Sequence, residues 1–321
     1  MAAATTCART TESGYTLIEL MVSVAIMTIV SATALDGVFR LTKVNQTVTN
    51  RTEMHAGVRN ATQLLQQEVG QAGRIALPNS VRLAGAVAPG PGTVAVNAVH
   101  ASGTVLNAVD GTTSMFVGEQ LVIDTGTNEE TVTLTGVNTT NKQITATFGI
   151  AHASGAPVNV YGGFGYGVVP TSVANGSTAS ILKLIGDINS DGTLKLVEYK
   201  CDAVTGNLYR RMVAFDATSK PSYTASLALL NNIVANPDGT PCFTYQQQTV
   251  NSVAFVTDVA VTLTVETPEA DPVTGLRQRE TKALLNVSPR NVFNVWQLAT
   301  LGISNRVQPL PSTITTLIGQ P

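Results

Sequence analysis

The feature that most constrains this chain is an apolar stretch near its start that contains one acidic residue. The stretch begins with Gly-Tyr-Thr-Leu-Ile-Glu-Leu-Met at positions 14–21 and stays almost wholly apolar through Val30. A run of this kind favours a helix that enters a membrane or another apolar environment. A charged side chain at the centre of a bilayer costs about 2.5–3.5 kcal/mol on insertion scales. Glu19 is therefore expected to have a role beyond anchoring.

Two ordinary explanations of this segment leave Glu19 without such a role. A secretory signal peptide would need a basic start, an apolar run and a small-residue cleavage site, which Ala-Thr-Ala at 32–34 could supply. Its start is only weakly basic, because Arg9 is offset by Glu12. A plain single-pass anchor would use Tyr15–Leu35, about 20 residues or roughly 30 Å of helix.

The same residues resemble the processing site of type IV pilins and type II secretion pseudopilins. In that family a prepilin peptidase cuts after the glycine, the new N-terminal residue is N-methylated, and a glutamate is the fifth mature residue. The resemblance implies that residues 1–14 are a leader, that Gly14 and Tyr15 form the processing site, and that Tyr15 and Glu19 act in assembly. Tyr15 stands where Phe is usual, and the leader lacks the common Lys.

This resemblance also implies partners and a location. Cleavage leaves a cationic amine on Tyr15, which Glu19 of a neighbouring subunit can meet when such helices bundle. The implied partners are other pilins or pseudopilins, prepilin peptidase, and the bacterial inner membrane before assembly. The implied location is that membrane, crossed once with the globular part in the periplasm, and then the pilus outside the cell.

Helical spacing of apolar residues continues well past the apolar stretch. Steps of three and four predict one helix over 15–73, on the order of 85 Å long. The spaced residues are Val38, Leu41, Val44, Val48, Met54, Val58, Ala61, Leu65, Val69 and Ala72. Thr, Val, Ala, Asn and Gly dominate after about residue 90, which favours strands and turns. The sequence predicts an α+β fold, in which the long helix packs on an antiparallel β-sheet domain with an inserted small β-module.

Composition divides the rest of the chain. Pro, Gly and Ala predict a linker at 74–92. Strand patterns predict an inserted β-rich module at 93–162, which resembles short β-barrel units of bacterial surface and phage proteins, and a pilin-type β-sheet domain at 163–290. A short helix followed by an extended tail is predicted at 291–321. Individual strands are predicted at 121–123, 130–134, 143–148, 158–161, 180–186, 194–201, 207–214, 253–266 and 277–287.

Charge and cysteine content narrow the functional classes. Charged residues make up 12% of the chain and the formal net charge is -2, so no basic face indicates nucleic acid. Cys7 precedes the apolar stretch, whereas Cys201 and Cys242 lie in the globular part. If the segment that contains Cys7 is removed, or stays on the other side of a membrane, Cys201 and Cys242 remain as one pair of cysteines. The sequence then predicts a disulfide between them. Two buried free thiols are the alternative.

Residues 187–198 fit the twelve-position calcium-loop pattern D-x-[DN]-x-[DN]-G-x5-E. In a Ca²⁺ site, Asp187, Asn189 and Asp191 would supply side-chain oxygens, Thr193 its carbonyl, and Glu198 a closing carboxylate. The flanking residues look like strands rather than the helices of an EF-hand. The other interpretation is a polar turn whose Asp and Asn side chains cap their own backbone. Ca²⁺ is the one cofactor predicted, and the fold does not require it.

No pattern of a catalytic site is recognisable, so the chain is predicted not to be an enzyme. His100 and His152 are isolated in the sequence, which favours structural roles. The layout over 15–75, and more loosely 163–300, resembles the PilW class of minor pilins. That resemblance implies a type IV pilus subunit that aids assembly and, through it, adhesion, motility or DNA uptake. The alternatives are a J-class pseudopilin of type II secretion and a membrane-anchored, calcium-dependent adhesive module.

Overall fold

A computed structural model describes residues 14–99 and 111–320, so the predicted leader before Gly14 lies outside the described residues. The described helices are α1 (Leu17–Gln71), α2 (Arg290–Thr300) and α3 (Ser312–Gly319). The described strands are β1 (Ser80–Leu83), β2 (Gly90–Val99), β3 (Gln120–Ile123), β4 (Glu130–Asn138), β5 (Gln143–Phe148), β6 (Pro157–Val160), β7 (Gly163–Phe164), β8 (Ile181–Gly186), β9 (Lys195–Asp202), β10 (Asn207–Ala214), β11 (Ala228–Asn231), β12 (Ile233–Val234), β13 (Phe243–Val250), β14 (Val253–Glu266), β15 (Arg279–Val287) and β16 (Val307–Gln308).

The chain divides into two compact units. The first contains the chain through Glu53 together with the hairpin loop Glu269–Gln278. The second contains Met54–Pro268 and the chain from Arg279 onward. This arrangement of one long helix followed by antiparallel strands confirms the predicted α+β class.

In the second unit, the rear of α1, from Met54 to Gln71, packs on two four-stranded sheets. One sheet has the order β11-β10-β9-β8, and the other has the order β12-β14-β13 with β15 also paired to β14. The apolar stripe predicted from the sequence is buried here, with Val58, Leu65 and Val69 no more than 2% exposed. These residues share one core with Tyr199 of the first sheet and Val259 of the second. The predicted packing of the helix on antiparallel sheet is therefore confirmed, with two sheets in place of one.

The end of α1 is fixed by glycines that approach one another closely. Gly73 has a φ of 83°, a left-handed conformation that ends a helix and favours glycine. Its N–H donates to the carbonyl of Ile185 at 2.8 Å. A Cβ on Gly167 would lie 2.3 Å from the backbone of Gly73, so a larger residue there would displace the helix end.

A closed barrel of six antiparallel strands follows the helix, in the order β1-β2-β5-β4-β3-β6. The predicted linker at 74–92 is wrong in this region, because it contains β1 and the beginning of β2. Strand β1 pairs with both β2 and β6 and so closes the barrel. Val81 and Leu83 enter the barrel core, while Ser80 and Arg82 face solvent. Strand β1 has only four residues and lies between Pro- and Gly-rich stretches, so it gives no clear strand pattern in the sequence.

The C-terminal segment differs from the predicted extended tail. Helix α2 lies where a short helix was expected, but residues 312–319 form a second helix, α3. Pro311 lies at the N-cap of α3, where its missing N–H breaks no helical bond. Ile314, Leu317 and Ile318 are spaced by three and four residues and are buried. Pro309 and Pro311, residues of a kind that favours an extended tail, instead precede a helix.

Candidate functional site

The predicted assembly residue Glu19 lies in the first turn of α1 and is bonded to Thr16. The Thr16 backbone N–H donates to Glu19 Oε2 at 2.8 Å, and the Thr16 hydroxyl donates to the same oxygen at 2.9 Å. The Glu19 N–H donates in return to Thr16 Oγ1 at 3.3 Å. This reciprocal pattern is a capping box, which satisfies backbone donors at a helix start. Among the described residues, no hydrogen bond reaches the other oxygen, Glu19 Oε1.

The predicted processing residues are open to a peptidase. Tyr15 is 89% exposed. A side chain built on Gly14 would meet no described atom within 4 Å. The structure thus places Gly14 and Tyr15 in an accessible segment immediately before the capped start of α1.

The front of α1 leaves an unusual amount of apolar surface uncovered. The large apolar side chains that are more than half exposed there are Leu17, Ile18, Leu20, Met21, Val22, Val24, Ile26, Met27, Ile29, Val30, Leu35, Val38, Phe39, Leu41, Val44 and Val48. By length and composition, α1 is also the described helix that could cross a membrane. Continuous apolar surface of this extent marks a segment that another apolar phase covers.

In the first unit, the hairpin loop is held against α1 by two acidic residues. The Thr47 hydroxyl donates to Asp271 Oδ2 at 3.0 Å, and the Gln46 side-chain amide donates to Glu269. Asp271 Oδ1 also accepts the N–H groups of Val273 and Thr274 at 2.8 and 2.9 Å. The backbone hydrogen bonds lower the pKa of Asp271. The sequence between the strands predicted at 253–266 and 277–287 does not indicate this contact, because an interaction with a distant part of α1 leaves no local pattern.

The predicted calcium loop is organised by its own backbone and by two cations. Asp187 Oδ1 accepts the N–H of Asp191 at 2.9 Å, and Asp187 Oδ2 lies 3.5 Å from Arg74 Nε. Burial raises the pKa of Asp187, and Arg74 offsets part of that effect. Asp191 Oδ1 accepts the N–H of Thr193 at 2.9 Å, and its other oxygen pairs with Lys195 at 2.5 Å. Burial alone would raise the pKa of Asp191, but the bonds from Lys195 and Thr193 outweigh it and lower the pKa to about 2.

Glu198 does not close this loop. Its carboxylate is buried among three cations: Arg211 Nε at 2.9 Å, Lys220 Nζ at 3.0 Å and Lys183 Nζ at 3.3 Å. Burial would raise the pKa of Glu198, but these cations outweigh that effect and lower it. Within 14–99 and 111–320, no group of three or more His, Cys, Asp or Glu side chains could hold a metal ion. The residues as arranged do not fit the predicted Ca²⁺ site, because Asp187 and Asp191 bond to backbone N–H groups and pair with Arg74 and Lys195.

His152 is not isolated in space, contrary to its position in the sequence. Its ring is buried in the barrel, with Nε2 2.6 Å from Glu130 Oε1 and Nδ1 3.3 Å from Asp124 Oδ2. Glu130 Oε2 accepts the N–H of Gly149 at 2.8 Å. These contacts tie together β4, the turn after β3 and the segment after β5, which is a structural role. His100 lies outside the described residues.

The predicted disulfide between Cys201 and Cys242 is confirmed, with the two Cα atoms 6.4 Å apart. Cys201 belongs to β9 and Cys242 immediately precedes β13. The bond therefore joins the two sheets that pack on the rear of α1. Cys7 lies outside the described residues.

Comparison with known proteins identifies one segment. Residues 9–35 match the prokaryotic N-terminal methylation motif. No curated protein and no solved structure matches the chain. The matched segment contains Gly14, Tyr15 and the Thr16–Glu19 capping box. At this segment the chain is similar to type IV pilin-like proteins, which supports a pilin- or pseudopilin-type subunit of a type IV pilus or a secretion system.

Proposed function

We propose that this chain is a minor pilin of the PilW class, a non-catalytic subunit that aids assembly of a type IV pilus. The methylation motif over residues 9–35, which coincides with the uncovered apolar part of α1, supports a pilin-type subunit. The resemblance of the layout over 15–75 and 163–300 supports the PilW class. The chain is inserted once in the bacterial inner membrane with its globular part in the periplasm. Prepilin peptidase then cuts after Gly14, and Tyr15 becomes the methylated N-terminus.

Assembly pairs Glu19 with the Tyr15 amine of a neighbouring pilin. A carboxylate buried between apolar helices is strongly unfavourable unless a cation meets it. Thr16 already bonds to Glu19 Oε2, and Oε1 carries no hydrogen bond from a described residue. The capping box therefore holds the carboxylate at the helix start and leaves one oxygen for the neighbouring amine. Adhesion, motility or DNA uptake would follow from the assembled pilus.

A processing assay tests the first step. In cells that contain prepilin peptidase, Gly14→Ala should block the loss of the leader, which an immunoblot detects as a slower-migrating chain. Gly37→Ala is the matched control, because a Cβ at Gly37 also meets nothing within 4 Å. Normal processing of the Gly14→Ala chain would contradict the proposed cleavage.

A deletion assay tests the pilus itself. Loss of the chain should reduce the number of surface pili while secretion of exoproteins continues. Loss of secretion with normal pili would overturn the minor-pilin proposal and assign the chain to the pseudopilins. A chain that retains residues 1–14 in purified membranes would instead favour an anchored adhesive module.

A further inference from the structure

The second unit contains a large cavity that the proposed function does not use. Its volume is about 810 Å³, within the range of about 300–1,000 Å³ that small-molecule sites occupy. Its wall is formed by the first residue of β3, the segment after β7, the β13–β14 turn and the C-terminal segment around α3. None of its lining residues belongs to the exposed apolar part of α1 or to the predicted calcium loop at 187–198.

The lining of this cavity contains no charged side chain among the described residues. Its apolar part includes Val253, Phe255, Val307, Leu310 and Ile318. A charged ligand would lose its hydration here without meeting a counter-charge, which is strongly unfavourable. The cavity therefore suits a neutral ligand with a mainly apolar body.

One polar atom in the wall is buried and has no partner. Gln120 Oε1 is inaccessible to solvent and accepts no hydrogen bond in the described chain. The backbone of Gln120 is satisfied separately, because its N–H and C=O both bond to the Gln308 side-chain amide, at 2.9 and 2.8 Å. A buried acceptor without a donor is costly, and rotation of the Gln120 side chain toward the cavity would let a ligand N–H or O–H remove that cost.

Four further polar side chains of the wall are available to a ligand. The side chains of Tyr166, Asn175, Asn251 and Ser304 line the cavity, and none makes a hydrogen bond to another described residue. Sites for small molecules combine an apolar wall with a few polar groups that orient the ligand. Gln120 and these four side chains supply that combination.

We propose that this cavity binds a small, neutral, mainly apolar molecule, and that the Gln120 side chain rotates toward the cavity so that its Oε1 accepts one hydrogen bond from that molecule. Every lining residue belongs to the second unit, so the site contains no residue of the apolar N-terminal part of α1. N-phenyl-1-naphthylamine has the required chemistry, with two aromatic groups, no charge and one N–H. Its fluorescence also rises in apolar surroundings.

Trp296, the one tryptophan of the chain, makes binding at this cavity measurable. It packs on the cluster of Phe255 and Ala299, two residues of the cavity wall. Energy transfer from Trp296 to the naphthylamine therefore reports probe near this wall rather than probe dissolved in detergent. We expect saturable transfer with the full-length chain at one probe per chain. Transfer that does not saturate would overturn the proposal.

Two neighbouring threonines of α3 provide a matched pair of variants. Thr315 lines the cavity and Thr316 does not, although both are exposed and both hydroxyls donate to the carbonyl four residues earlier. Thr315→Tyr should fill part of the cavity and raise the dissociation constant of the naphthylamine at least tenfold, whereas Thr316→Tyr should leave it unchanged. Equal affinity of the two variants would overturn the proposed site.

The role of Gln120 is tested with 1-phenylnaphthalene, which has similar bulk and no N–H. The wild-type chain should prefer the naphthylamine in competition, and Gln120→Met should reduce that preference at least threefold. The Met variant is expected to fold, because the replaced side chain makes no hydrogen bond. An unchanged preference in this variant would overturn the assigned hydrogen bond.

Discussion

Glu19 and Thr16 form a reciprocal capping box at the start of α1, with Thr16 N donating to Glu19 Oε2 at 2.8 Å and Glu19 N donating to Thr16 Oγ1 at 3.3 Å. The carboxylate therefore has a local structural role in addition to the intermolecular role proposed for it. The two roles make different demands on the side chain. Capping needs an acceptor oxygen, whereas pairing with an amine needs a negative charge.

Substitutions at these two positions separate capping from charge. Glu19→Gln keeps an acceptor suited to the capping box but removes the charge, so we expect normal processing and a strong loss of incorporation into pili. Thr16→Ala removes the cap at a cost of about 1 kcal/mol but keeps the charge, so incorporation should fall only slightly. Immunoblots of sheared pili and of whole cells measure both steps. Normal incorporation of Glu19→Gln would assign the residue to capping alone.

The disulfide between Cys201 and Cys242 should contribute substantially to stability. The two cysteines are 41 residues apart, and a loop of that length corresponds to about 4 kcal/mol in the chain-entropy model. The double variant Cys201→Ser, Cys242→Ser should therefore lose about that much free energy of unfolding, measured by denaturant titration of the full chain. Cys7→Ser is the control and should unfold as the wild type does. Equal stability of the double variant and the control would contradict this role.

The buried carboxyl of Glu119 should make stability depend on pH. Burial raises its pKa from 4.5 to about 8, against a lowering effect of the Phe116 N–H. Between about pH 4.5 and pH 8, the Glu119 carboxyl is protonated in the folded chain and ionised in the unfolded chain. The stability from this group is thus fully present below about pH 4.5, and it falls as the pH rises to about 8. The difference corresponds to about 5 kcal/mol.

Glu119→Gln tests this dependence, because the amide cannot ionise. Its midpoint of thermal unfolding should exceed that of the wild type at pH 8, and the gap should narrow toward pH 5. Glu129→Gln is the control, since Glu129 is exposed. A difference in midpoint between Glu119→Gln and the wild type that does not change with pH, or that widens toward pH 5, would contradict the raised pKa of Glu119.

Calcium should have no measurable effect on stability. Asp191 is paired with Lys195, and Glu198 is held by Arg211, Lys220 and Lys183. Thermal melting with and without millimolar Ca²⁺ should therefore give the same midpoint. A rise in the midpoint that Asp187→Asn abolishes would instead support the calcium site expected from the sequence pattern.

Prediction from the sequence was most accurate for helices and strands whose apolar residues are regularly spaced. The steps of three and four in α1 and the alternation in β14 were sufficient, because burial of one face repeats along each element. Strand β13 was missed, since Thr244 and Gln246–Gln248 make it largely polar. Helix α3 was missed because Pro309 and Pro311 resembled the beginning of an extended arm.

Contacts between distant residues account for the remaining differences. Glu68 lies between the apolar positions that predict α1, where a charged residue is expected to face solvent, yet it is 4% exposed and accepts hydrogen bonds from Arg210 and Tyr199. Glu198 fits the last position of a calcium loop, but cations on β8 and β10 determine where it points. The capping box, by contrast, was present in the sequence as Thr16-x-x-Glu19.

The mature N-terminus of the chain tests the central claim most directly. Sheared pili should be purified, the chain digested, and its N-terminal peptide identified by mass spectrometry. The account predicts a peptide that begins with N-methylated Tyr15. A chain recovered with residues upstream of Gly14 intact, or cut near Ala34, would contradict the account.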